Sequence, residues 1–95
     1  MIKKPAQAHP KRSLFWTPEA WADYLYWQEN DMAKVSRIND LLKDIWRQPF
    51  QGVGKPEPLK HDFSGYWSRR ITIEHRLVYR VTLEAIHVIC CRYHY

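Results

Sequence analysis

Cysteine is scarce in this 95-residue chain: there are two, adjacent at Cys90 and Cys91. With no second pair, a disulfide framework and a cysteine zinc site are both excluded. Alternation along an apolar strand points the two to opposite faces, so reduced, buried thiols are expected. His61, His75, His87 and His94 show no HxH, HxxxH or Cys-His spacing, which argues against a metal centre, and no cofactor is expected. Nowhere is there an apolar run of about 18 residues, and the opening MIKKPAQAHPKR lacks an apolar signal-peptide core. These absences predict a soluble, cytoplasmic protein with no membrane partner. No internal repeat or low-complexity stretch is present.

What the chain does have is enough apolar material for one core, with 45% hydrophobic and 15% aromatic residues. Its formal charge of +5 is unevenly spread. Lys3, Lys4, Lys11 and Arg12 have no acid near them within residues 1–12, whereas residues 17–46 carry three basic and six acidic residues, and residues 47–95 carry eight basic and four acidic ones. A basic C-terminal half beside an acidic helical half points to an anionic partner for the former. Residues 1–12 read as a basic extension and 13–95 as the folded domain.

Ser13–Trp16 is short and apolar enough for a first strand. Thr17-Pro18-Glu19 then supplies an N-cap, a proline at the first helical position and an acid in the first turn, and the helix should run to about Asn30. Trp21, Tyr24, Leu25 and Gln28 follow helical spacing along it, although aromatics surround much of this helix and some are candidates to meet a partner. Asp31 can cap a second helix, whose apolar stripe is Val35, Ile38, Leu41, Leu42, Ile45 and Trp46, ended by Pro49. PFQGVGKPEPLKH, with three prolines and two glycines, predicts a connection of fixed course. After it the period becomes two. YWSRRIT, HRLVYRVT and AIHVICCRYHY read as an antiparallel meander, so the fold class is α+β: two helices on one face of an antiparallel-rich sheet, in the order β-α-α-β-β-β.

Three features carry candidate chemistry. Glu57 lies between Pro56 and Pro58, which would aim its carboxylate at little entropic cost; taken alone it also reads as a solvated loop glutamate. Arg69, Arg70 and Arg76 bracket a tight turn, with Arg76, Val78 and Arg80 on one strand face and Leu77, Tyr79 and Val81 on the core face; arginines on an exposed strand are also common as solubility devices. RYHY closes the sequence, and a continuing pleat would set Arg92 and His94 on one face and Tyr93 and Tyr95 on the other. Together, a carboxylate, an imidazole and several guanidinium groups are what phosphodiester cleavage by a ribose 2′-OH needs: a base, an acid and cations for the developing charge. RNA supplies its own nucleophile, so neither a serine nor a metal motif is required.

WADYLYWQEND, INDLLKD, PFQGVGKPEPLKH, GYWSRRITIEHRLVYRV and the closing CRYHY resemble the YoeB (Txe/YoeB) toxins within the RelE/ParE superfamily, over residues 14–95. The resemblance implies a RelE/ParE-like fold and a ribosome-dependent mRNA interferase that cuts mRNA in the ribosomal A site and is neutralised by a YefM-type antitoxin. Matched by motif, it implies Glu57 as general base, Arg76 as the cation, His94 as general acid and Tyr95 as a ring that helps hold the nucleotide. Lys60 and Arg70 would help hold RNA phosphates. Residues 1–12 have no counterpart in the compact family pattern, and Ile73 stands where an acid is usual. A ParE-like gyrase poison would not need the Glu57, Arg76 and His94 set, and a non-catalytic RNA-binding module is a reading of another class. Aromatic surface on the first helix would serve antitoxin binding or a homodimer.

Overall fold

The computed structural model describes residues 12–93. Strand β1 (Ser13–Trp16) leads into helix α1 (Pro18–Asn30) and helix α2 (Met32–Arg47); strands β2 (Glu57–Pro58), β3 (Trp67–Arg70), β4 (Arg76–Val81) and β5 (Ala85–Cys90) follow, with a 3-10 turn at His61–Phe63 before β3. They form one sheet in the order β1-β5-β4-β3-β2, in which β1 runs parallel to β5 and the other pairings are antiparallel. The β-α-α-β-β-β expectation therefore holds with one addition. The proline-rich connection contains a two-residue edge strand, Glu57 pairing with Ser68 and Pro58 with Trp67. Prolines are tolerated there because an edge strand has one side on which no ladder donor is needed.

The helix boundaries follow from their caps. Thr17 Oγ1 accepts from the Ala20 amide at 3.0 Å while its hydroxyl donates to Ile89 O at 2.7 Å, tying the start of α1 to β5. Asp31 serves both helices: its N–H donates to Trp27 O at 2.7 Å, and its carboxylate accepts from the Ala33 amide at 3.1 Å. Along α2 four of the six expected stripe residues, Val35, Ile38, Leu41 and Ile45, are buried against Leu77, Tyr79, Ile86 and Val88, while Leu42 is half-buried at the edge of the core and Trp46 is exposed. Each fully buried aliphatic side chain contributes about 1.5–3 kcal/mol, so this stripe is the main fastening of the helical layer.

Helix α1 departs from its expected stripe. Ala20 and Trp27 are its buried residues, while Trp21 and Leu25 remain 46% and 39% exposed. A helix this rich in aromatics presents several apolar faces, and the buried one is decided by where β5 crosses. The alternation in β4 holds, with Leu77 and Tyr79 in the core and Arg76, Val78 and Arg80 on the opposite face, but that face is not open along its whole length. Val78, expected to share an open face with Arg76 and Arg80, is fully buried between Ser68 on β3 and Cys90 on β5.

Pairing of β4 with β5 skips a residue, matching Val78 with Cys90 and Tyr79 with Val88. This bulge leaves Cys90 and Cys91 both buried, Cys91 within the core beneath the helices. Burial pushes the Cys91 thiol well above its usual range. Strand β5 then ends, and Tyr93 takes a positive φ of 63°, so the condition of a continuing pleat is not met at Tyr93.

Candidate active site

Antiparallel pairing of β2, β3 and β4 brings Glu57, Ser68 and Arg76 together on the sheet face away from the helices. Arg76 Nη1 donates to Glu57 Oε1 at 3.0 Å and to Ser68 Oγ at 3.3 Å. The Glu57 carboxylate is 56% exposed and the Arg76 side chain 20%, so the pair sits at the surface with the guanidinium partly enclosed. Sheet pairing adds to the flanking prolines in fixing Glu57: Leu59 N–H donates to Tyr66 O at 2.8 Å just beyond it.

The C-terminal tail is led to the same place. The Cys91 amide donates to Asp23 Oδ2 at 3.0 Å, and Trp27 Nε1 donates to Cys91 O at 2.9 Å. Arg92 lies over the Tyr26 ring, 3.5 Å from its centroid. The Tyr93 amide donates to His75 Nδ1 at 2.7 Å, and the Arg76 amide donates to Tyr93 O at 2.9 Å. Three residues of α1 and the β3–β4 turn thus hold the residue that precedes His94 against Arg76. His94 and Tyr95 themselves lie outside the described residues.

Of the other expected RNA contacts, Lys60 is exposed just before the 3-10 turn, and Arg70 is half-buried beside Arg76 in the β3–β4 ladder. Neither side chain has a partner among the described residues. Arg69 does not belong with them. As a strand neighbour of Arg70 it points the opposite way, and it is fully buried. Its guanidinium donates to Asp44 Oδ2 at 2.6 Å, Gln48 O at 2.7 Å, Gln51 O at 2.8 Å and Val53 O at 3.1 Å, and its Nε to the Tyr79 hydroxyl at 3.2 Å. Burial raises the Asp44 carboxyl, but bonds from Gln48, the Val53 amide, Arg69 and Arg47 outweigh it and hold Asp44 well below the usual carboxylate range.

This hub pins the loop that delivers Glu57. Gly54, at φ 83°, fits beneath Arg69: a Cβ there would lie 2.7 Å from Leu41 Cδ2 and 3.2 Å from Arg69 Cβ. The adjacent pair Arg69-Arg70 in an alternating strand was the available signal that one of them faces inward; its partners on the loop could not be read from spacing. A second missed signal is conformational. Lys55, His61 and Tyr93 are the non-glycine residues with positive φ among those described: Lys55 lies two residues before Glu57, Tyr93 O accepts from the Arg76 amide, and His61 opens the 3-10 turn four residues after Glu57. Such backbone costs roughly 1–3 kcal/mol per residue and concentrates at functional sites.

A cavity of about 290 Å³ opens elsewhere, between β1 and α2, lined by Arg12, Ser13, Leu14, Leu42, Lys43, Trp46 and Ile86. It shares no residue with the Glu57–Arg76 set. Arg12 packs there, donating from Nε to Thr82 O at 2.8 Å and accepting from Trp46 Nε1 at 3.1 Å through its carbonyl. Residues 1–11 of the basic extension lie outside the described residues.

The family profile of the YoeB-like toxin of bacterial type II toxin-antitoxin systems matches residues 16–95. This chain belongs to the YoeB toxin family. Toxin YoeB of Escherichia coli (strain K12) is 62% identical over 82 residues, covering 86% of this chain and 98% of that one. Among solved structures, the YoeB dimer from Staphylococcus aureus is similar at 48% identity and a TM-score of 0.84, covering 88% of this chain and 98% of that one. A YoeB–YefM complex from the same organism is similar at 46% identity and 0.82, covering 90% and 99%. As a YoeB-family toxin, the chain is the toxin component of a type II toxin-antitoxin pair. Among its described residues no helix is long and apolar enough to cross a membrane.

Proposed function

We propose that this YoeB-family chain is a ribosome-dependent mRNA interferase, an endoribonuclease that cuts mRNA in the ribosomal A site and so stops translation. The observation that carries the reading is the Glu57–Arg76 pair at 3.0 Å, with the residue before His94 hydrogen-bonded to the Arg76 backbone. Glu57 removes the proton of the ribose 2′-OH, and the freed oxygen attacks the adjacent phosphorus. Arg76 neutralises the charge that grows on the phosphoryl oxygens. His94 gives a proton to the departing 5′-oxygen, leaving a 2′,3′-cyclic phosphate and a 5′-hydroxyl. Tyr95 helps hold the nucleotide, and Lys60 and Arg70, both unpaired among the described residues, hold flanking phosphates. RNA provides the nucleophile, so the reaction as written uses no metal or cofactor.

Acid and base groups supply about 10²- to 10⁴-fold each, and the ribosome supplies the in-line geometry by fixing the mRNA. The chain therefore works in the cytoplasm, on ribosomes. A YefM-type antitoxin with an acidic segment would cover the basic face around Arg76, and a homodimer is its other expected assembly.

Primer-extension mapping of mRNA in a translation reaction tests the reading. The unmutated chain should produce A-site cuts. Glu57→Gln and Arg76→Ala should each lower the single-turnover rate by at least about 100-fold while melting near the parent temperature. Removal of His94 and Tyr95 should do the same. Full cleavage by Glu57→Gln or Arg76→Ala would overturn the assignment.

A further inference from the structure

We propose that the outer face of the sheet continues beyond Glu57 and Arg76 into a second RNA-binding subsite, built from Phe15, His87 and Arg80, that holds a nucleotide flanking the scissile one. The inference rests on the interferase reading for what the RNA is doing there. The subsite itself rests on geometry. Strand register sets Phe15 of β1 beside His87 of β5, and His87 beside Arg80 of β4, so three neighbouring strands present these side chains in one row. The Phe15 and His87 rings stack, 5.4 Å between centroids and 15° between planes. Phe15 is 55% exposed although it belongs to a strand. Arg80 is exposed, and among the described residues its guanidinium has no partner.

Charge and chemistry choose the occupant. On this face the strand positions carry Arg70, Arg76, Arg80 and His87 against a single acid, Glu57, which the proposed reaction already uses. An open aromatic pair beside an unpaired guanidinium is the combination that binds single-stranded nucleic acid, with bases stacked on rings and phosphates held by cations. An acidic peptide would satisfy Arg80 but would have no use for the stacked rings. Distance fits as well: Arg76 and Arg80 are four residues apart on one strand face, about 13 Å at roughly 3.3 Å per residue, which is more than one nucleotide can span between its own base and phosphate. The buried Val78 between them forms a floor over which the strand would pass.

The test uses Phe15→Ala, Arg80→Ala, the double variant and Arg80→Lys, each in the full chain, with melting temperature and sedimentation as checks of fold and oligomeric state. The probe is a short, fluorescent single-stranded RNA carrying 2′-O-methyl riboses, which binds but cannot be cut. Phe15→Ala should raise Kd about fivefold or more, the lower end expected for losing one base–aromatic stack. Arg80→Ala should lower the slope of log affinity against log salt by about 1, and Arg80→Lys should restore that slope. On programmed ribosomes the loss should fall on KM with the single-turnover rate at saturation largely kept. Unchanged RNA affinity and KM in the double variant, no RNA binding by the unmutated chain, or a shift in oligomeric state that marks the face as a contact between copies would each overturn the subsite. RNA binding with these dependences in a chain that fails to cut mRNA would sustain the subsite and remove the interferase reading; A-site cutting unchanged in all four variants would do the reverse.

Discussion

Replacing Arg69 should do more damage than replacing any cation at the candidate site, although it touches no substrate. In Arg69→Met the apolar stem is kept and the guanidinium is lost. Asp44 Oδ2 then loses its 2.6 Å partner but keeps the Val53 amide at 3.0 Å, and Oδ1 keeps Gln48 and Arg47. Breaking a buried ion pair from one side typically costs about 3–5 kcal/mol. The surviving partners of Asp44 place the expectation toward the lower end, near 3 kcal/mol. Of the carbonyls left without a donor, those of Gln51 and Val53 belong to exposed residues and can turn to water, while that of half-buried Gln48 adds up to about 1 kcal/mol. A total of about 3–4 kcal/mol is a large share of the roughly 5–15 kcal/mol that holds a small domain together. It should lower Tm by roughly 12–30 °C for a domain of this size. Urea unfolding followed by circular dichroism measures it directly, and a double-mutant cycle with Asp44→Asn isolates the pair. Arg69→Lys should recover only part of the loss, because one ammonium cannot reach all four loop and helix acceptors of the guanidinium. A loss below about 1 kcal/mol in Arg69→Met would refute the view that this hub fastens the loop carrying Glu57.

Acid should expose the same hub: the folded Asp44 carboxyl is depressed below its unfolded value of about 3.9, so its contribution is full above that pH and is lost as pH falls further; urea midpoints below pH 4 should drop less in Asp44→Asn than in the parent. Gly54→Ala places a Cβ against Leu41 at a positive φ and should destabilise by about 1–3 kcal/mol, read from the same unfolding curves; an unchanged midpoint would count against the tight fit. His75→Phe keeps ring packing on Trp27 but removes the acceptor of the Tyr93 amide, so mRNA cleavage should fall by about 10-fold or more with a smaller effect on melting, and equal effects on both would make His75 only structural. Cys90 and Cys91 should resist a thiol reagent in the native chain and react on unfolding, since both are buried and burial holds the Cys91 thiol protonated; rapid native labelling would contradict this.

Local signals in the sequence determined the elements themselves. Thr17-Pro18 and Asp31 start the helices where a cap satisfies orphan amides, and the Val35, Ile38, Leu41 and Ile45 spacing commits α2 to one buried face because helical period and burial agree there. The change to alternation after residue 65 announced the strands, and the family motifs named Glu57 and Arg76, which the sheet does bring to 3.0 Å. Tertiary structure alone decided which of several apolar faces α1 buries, because Trp21, Tyr24, Leu25, Tyr26 and Trp27 give that helix no single stripe. It alone separated Arg69 from Arg70, since the acceptors for a buried guanidinium come from residues 44 to 53 and meet it only after α2 packs on the sheet. It also decided the course of the tail. A bulge in β5 and bonds to Asp23, Trp27 and His75 turn the chain toward Arg76, and long-range contacts of this kind leave no periodic mark in a sequence because the chain pays their closure entropy only once the rest has folded.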